Sequence, residues 1–250
     1  MIFDKPHRPL LTENPVLNVA DLVQWKRENQ KYNVDKLPAT AIFTLSKYSI
    51  PKKIRLFAKK IKGIKGFQYQ INSEIVICSD FGNGAPAIVG VMEELRILGV
   101  ANFIFIGLAG SLDLKFKENE KCVATQTFST TGCAAFYSEE ETLVPIKNEW
   151  LNRIQSQLNY PEATCWSTDA PYRETPSLLS QFCSKGATHV DMECAAIYAF
   201  ASFYNLNSIC LLVTADAISS GKWLPPKNEK SVHQSIKNTL LDCLKITANE

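Results

Sequence analysis

The sequence predicts an α/β fold built on a central parallel or mixed sheet with helices packed on it. Two observations predict it. Short apolar runs recur along the 250 residues, as at 39–45 (ATAIFTL), 102–106 (NFIFI) and 208–214 (SICLLVT), and read as buried strands. In the middle of the chain such strands alternate with a helical pattern, and glycine-rich turns stand at the changeovers.

Taken in order, residues 16–29 read as a helix with Asn18 as its N-cap and Leu22, Val23 and Trp25 as buried positions. Residues 39–45 form the first strand. The lysine-rich stretch 50–64, with Ile54, Leu56, Phe57 and Ile61 recurring, predicts a helix. Residues 66–71 and 73–79 predict two strands joined near Asn72. The turn 80–86 (DFGNGAP) opens a helix that ends at Gly99, with Pro86 suited to its first turn. Strand 102–106 then runs into a second glycine turn, 107–112 (GLAGSL). A strand over 122–128, a helix over 150–158 and an apolar run at 163–167 follow. Beyond them come a helix over 176–185, a short strand at 189–192 and an alanine-rich helix over 193–203. Strand 208–214 delivers Ala215 and Asp216 to its C-terminal end, and a last helix covers 230–248. No repeat or linker divides the chain, so residues 1–250 are read as a single domain with residues 1–38 as an N-terminal extension.

Composition narrows the function classes. Lysine and arginine number 27 against 25 acidic residues, a net charge of +2, which points to neither nucleic acid nor a membrane surface as partner. No apolar signal core and no run of about 18 apolar residues is present, so a cytoplasmic protein is expected. The eight cysteines are scattered, several inside apolar runs, as buried thiols are in a reducing compartment. His7, His189 and His233 lie far apart, and His189 reads as a strand-edge residue; no metal site is expected. Neither glycine turn matches the dinucleotide or P-loop patterns.

In open α/β sheets ligands bind beyond the carboxyl ends of strands. Four segments meet that description: 80–86, 107–112, 168–175, and 190–193 together with Asp216. Glu193 stands out because it opens an otherwise apolar helix, where a carboxylate also suits the helix dipole.

Three stretches resemble the hexamer-type purine nucleoside and uridine phosphorylases and the related nucleosidases. They are Gly82-Asn83-Gly84-Ala85-Pro86-Ala87 with Glu93-Glu94-Leu95; Ile106-Gly107-Leu108-Ala109-Gly110; and Val190-Asp191-Met192-Glu193-Cys194-Ala195-Ala196-Ile197-Tyr198 with Val213-Thr214-Ala215-Asp216. The resemblance implies a three-layer α/β/α fold and cleavage of the N-glycosidic bond of a nucleoside, purine by preference. Glu193 would bind the ribose hydroxyls, and Met192 would pack on the sugar. Asp216 would protonate the departing base. Ala109, Gly110 and Tyr172 would border that base, and Gly84 would approach the substrate through its backbone. No cofactor is implied beyond phosphate as co-substrate, and the implied assembly is a homodimer or homohexamer, with His7 reaching a neighbouring site.

The phosphate side departs from the family. Its Gly-Asp-Pro-x-Arg loop is replaced by Thr44-Leu45-Ser46-Lys47-Tyr48-Ser49, and Phe105 and Leu108 stand where an arginine and a Ser/Thr are usual. Losing two cationic, fork-shaped donors costs an anion site several kcal/mol. Lys47 and Arg173 are the available substitutes, and Lys230 a helper for Asp216. The expectation is phosphorolysis with a remodelled phosphate site, with a phosphate-independent nucleosidase or a non-catalytic nucleoside binder as alternatives.

Overall fold

The computed structural model describes residues 11–113, 115–219 and 221–247. Helices α1 (Val19–Glu28), α2 (Lys52–Phe57), α3 (Ala85–Ile97), α4 (Glu149–Leu158), α5 (Pro176–Ser184), α6 (Cys194–Phe203) and α7 (Glu229–Thr247) surround one mixed sheet. Its strands are β1 (Thr40–Thr44), β2 (Lys59–Ile61), β3 (Phe67–Gln70), β4 (Ile75–Ser79), β5 (Asn102–Ser111) and β6 (Lys121–Ser129). They continue with β7 (Thr142–Leu143), β8 (Glu162–Ser167), β9 (His189–Asp191), β10 (Asn207–Ser219) and β11 (Lys222–Leu224).

Strand β5 is the hub. It pairs in parallel with β1 and β10 along its length, and its last residues pair antiparallel with β9. The circuit β5–β10–β6–β8–β9 therefore closes on itself, while β1, β4, β3 and β2 extend from it as an open wing. Alternation along the strands sorts the core into two layers. Phe43, Phe103 and Phe105 face one side with α3 and α6 residues; Ile42, Ile104 and Ile106 face the other with α4 and α7 residues. This is the three-layer α/β/α arrangement expected.

The two glutamates of the Glu93-Glu94-Leu95 stretch are structural. Buried Glu94 accepts from Lys26 and Tyr32, tying α1 to α3. Glu93 accepts from Tyr137 Oη at 2.9 Å and Tyr204 Oη at 3.0 Å, and pairs with Arg96. Asn18 caps α1 as expected through its side-chain oxygen on Ala20 N, and Val23 is buried. Trp25, expected buried, is 52% exposed, because α1 presents only a narrow stripe to α3.

Three further expectations are corrected. The helix expected over 50–64 ends at Phe57, and Lys59–Ile61 becomes the edge strand β2; its outward lysines suit an unpaired edge. The glycine turn expected at 107–112 is strand: β5 runs through Ser111. Gly107 is required there because a Cβ would collide with the Phe105 ring. His189 is no edge residue. It is fully buried between β5 and β8, against Thr188 and Thr214 hydroxyls, and burial lowers its pKa to about 4. None of the eight cysteines is bonded to another, and six are buried. Among the described residues no helix is long and apolar enough to cross a membrane, and no cluster could hold a metal ion. His7 lies outside the described residues.

Candidate active site

The carboxyl ends of β5, β9 and β10 open into a cleft of about 780 Å³. Its walls bring together Ala109 and Gly110 from β5, Val190–Glu193 after β9, and Ala215 and Asp216 from β10. Pro171, Tyr172 and Glu174 come from the loop before α5, and Trp223 from β11.

One end is organised by Asp191. Its Oδ2 accepts from the backbone N–H groups of Glu193 (2.8 Å) and Cys194 (2.7 Å), and its Oδ1 from Ser167 Oγ (2.6 Å). Asp191 thus serves the free donors at the start of α6 from two residues upstream. The helix is apolar on all sides and buried from Cys194 to Ala201, so its start cannot shift without opening the core. Glu193 is held on that fixed start, 6% exposed, with Oε1 accepting from Gly84 N at 2.7 Å. Gly84 has φ of +83°, a conformation glycine tolerates, and this turns its N–H toward Glu193. Burial, and then the charge of Asp191, raise the Glu193 carboxyl to about 7, against the opposing N–H bonds from Gly84 and Met192. A Cβ on Gly84 would sit 3.7 Å from Met192 Cε, so the turn 80–86 and the Met192 side chain are in contact range.

The other end is organised by a bulge. The β5–β10 register shifts between Thr214 and Asp216, leaving Ala215 unpaired and setting Asp216 opposite Gly110. Asp216 Oδ1 lies 2.9 Å from where a Gly110 Cβ would be, so only glycine leaves room for it. Asp216 Oδ2 accepts from Trp223 Nε1 at 2.6 Å. Tyr172 stands fully exposed on the rim. Glu174, half-buried beside it, is raised to about 7 by burial and then by the charge of Asp216.

Another side of the cleft is largely apolar. Leu45 and Leu108 line it with Asn83, and Phe105 is buried in the core behind. Lys47, Arg173 and Lys230 are absent from the lining. Lys47 Nζ lies 4.4 Å above the Phe67 ring, and its backbone N–H donates to Asp80 Oδ2. Arg173 is exposed outside the cleft, and Lys230 is exposed in the first turn of α7. Among the described residues the lining holds four carboxylates, Glu174, Asp191, Glu193 and Asp216, and no lysine, arginine or histidine. Of the residues the sequence singled out, Met192, Glu193, Ala109, Gly110, Tyr172 and Asp216 thus meet on one cleft, with Gly84 bonded to it. Trp223 and Glu174 join them without having been expected. Trp223 carries no local signal in the sequence, and Glu174 sits inside a segment already singled out.

Fold and cleft together define an α/β enzyme of the nucleoside phosphorylase class. The sequence model of the phosphorylase superfamily matches residues 40–245, and the chain belongs to that family. The DeoD-type purine nucleoside phosphorylase of Caldanaerobacter subterraneus is 24% identical over 194 residues, covering 75% of this chain and 81% of its own. That of Clostridium perfringens is 21% identical over 190 residues, covering 73% and 81%. Among solved structures, a uridine phosphorylase from Vibrio fischeri superposes with a TM-score of 0.69 at 18% identity, covering 86% of this chain and 93% of its own. A purine nucleoside phosphorylase from Toxoplasma gondii superposes at 0.67 and 20%, covering 86% and 94%.

Proposed function

We propose that the chain cleaves the N-glycosidic bond of a purine nucleoside by phosphorolysis, with a phosphate site rebuilt relative to its relatives. One observation carries this reading. Glu193 and Met192 line a single cleft together with Asp216 and Gly110. Glu193 accepts the ribose hydroxyls, and its charge steadies the positive charge that grows on the sugar as the bond breaks. The departing base lies against Ala109, Gly110 and Tyr172, and its protonation falls to the carboxylate end at Asp216. Phosphate enters beside Leu45, Asn83 and Leu108. No cofactor takes part, and the assembly is a homodimer or homohexamer in a cytoplasmic setting.

The cation-free lining favours a second reading, in which nucleoside binds but phosphate takes no part in the reaction. Inosine, adenosine and uridine cleavage, measured with and without phosphate, separates the two. Phosphate-dependent release of hypoxanthine or adenine, slowed in Asp216→Asn, is the expected result. Equal rates in both buffers point to hydrolysis, and binding without turnover points to a non-catalytic role.

A further inference from the structure

The base end of the cleft holds a second carboxylate that the chemistry above does not use. Glu174 follows the 3-10 turn Pro171–Arg173 and precedes α5, whose cap Thr175 accepts from Leu178 N. Its backbone is thus pinned between two short elements, and its side chain lines the cleft with Asp216 and Tyr172. No hydrogen bond or ion pair engages that side chain among the described residues. Among the described residues, the charged groups facing the same space are Asp216 from β10 and Asp191 and Glu193 after β9, with no cation.

Asp216 is placed differently. Its Oδ2 accepts from the Trp223 indole and its Oδ1 lies in the space beside Gly110, while the Glu174 side chain carries no such bond. Two carboxylates sharing a small space hold one proton between them more readily than none. The raised carboxyl of Glu174, at about 7, agrees with that proton resting on it.

We propose that Glu174 is the catalytic acid that protonates the departing base, and that Asp216, held by Trp223 beside Gly110, is its negative partner. This rests on the glycosidic cleavage proposed above and divides between two residues a role that the family resemblance gave to Asp216. As the C1′–N9 bond breaks, its electron pair moves into the purine ring. The O–H bond of Glu174 breaks at the same time, its proton forms N7–H on the base, and a phosphate oxygen bonds to C1′. Glu174 leaves the step as a carboxylate and regains its proton from solvent.

Two nucleosides separate a proton donor from a structural residue. Inosine needs protonation at N7, whereas 7-methylinosine carries its charge there already. Rates for wild type, Glu174→Gln and Asp216→Asn are measured across pH with phosphate saturating. For wild type on inosine, kcat/KM falls as pH rises through about 7, because the donor must be protonated. Glu174→Gln loses that alkaline limb and about 10²-fold or more of the inosine rate, yet cleaves 7-methylinosine within a few-fold of wild type. Asp216→Asn keeps the limb but moves it to lower pH, since the neighbouring charge is gone. A Glu174→Gln enzyme with wild-type inosine rate and limb, alongside an Asp216→Asn enzyme lacking the limb, overturns the proposal and makes Asp216 the donor. Parallel loss on both nucleosides also overturns it, as a structural effect. A wild type inactive on both substrates overturns the cleavage reading itself, and this proposal with it.

Discussion

The Glu193 end and the Leu45–Leu108 side of the cleft are built in opposite ways. At the Glu193 end, Asp191, Ser167, Glu193 and Gly84 form a hydrogen-bonded chain anchored to a fully buried helix start. On the Leu45 and Leu108 side those two residues offer no donor, and Lys47 rests on an aromatic ring outside the lining. In the function proposed above, the first end meets a neutral polyol with a fixed acceptor, Glu193. The second gives a dianion little to hold. If the proposed function holds, the difference teaches that binding of the sugar and choice of nucleophile are separable on this fold. Each depends on different strand ends, and one can be rebuilt while the other stays.

The largest expected effect comes from removing the ribose anchor. Glu193→Gln keeps the Gly84 bond but loses the charge, and nucleoside cleavage drops by about 10²-fold or more. The same change stabilises the fold at high pH. A carboxyl whose folded pKa lies near 7, above its unfolded value, contributes most below the unfolded pKa, and the contribution fades as pH rises through about 7. Glu193→Gln therefore melts a few degrees higher than wild type at pH 8 and about level with it at pH 5, as thermal denaturation at the two pH values will show. A variant that loses stability at pH 8 breaks the account of this end.

Gly110→Ala comes next. The added methyl occupies the space of Asp216 Oδ1 and presses on Val190 Cγ1, 3.2 Å away. Displacing the carboxylate by a fraction of an ångström lowers kcat by roughly 10- to 100-fold, with KM for nucleoside little changed. Steady-state kinetics on inosine decides this, and an unaltered kcat contradicts the placement of Asp216 at the reacting base.

Leu108→Ser sharpens the contrast from the other side. One hydroxyl restored at the apolar end is worth about 1 kcal/mol, so KM for phosphate falls about fivefold. The smallest effect is that of Lys47→Met. Because the ammonium sits over Phe67 and outside the cleft, KM for phosphate changes by less than about twofold. A large rise in KM for that variant would show that Lys47 swings in to hold the anion.

The sequence made some of these features legible and hid others, for physical reasons. Strand β1 and helix α6 were readable because they are buried on every side, and only such burial lets apolar side chains follow one another without a polar face. Residues 59–61 were misread because an edge strand with outward lysines imitates the polar face of a helix. Residues 107–111 were misread because glycine usually marks a turn, whereas here Gly107 makes room for the Phe105 ring and Gly110 for Asp216. Glu193 and Asp216 carried a local pattern and could be found. Glu174 and Trp223 carry none. Their meaning arises only when the loop before α5 and the hairpin β10–β11 fold over the same cleft. Arg173 was the cation expected from residues 168–175, yet the fold leaves it exposed outside the lining while its neighbour Glu174 turns in.

The central claim is that this cleft breaks a nucleoside and transfers its ribosyl group to phosphate. Product analysis tests it most directly: purified protein is incubated with inosine and phosphate, and hypoxanthine is quantified against ribose 1-phosphate and free ribose. The account predicts hypoxanthine and ribose 1-phosphate in equal amounts. Hypoxanthine accompanied by free ribose, or no hypoxanthine at all, would contradict it.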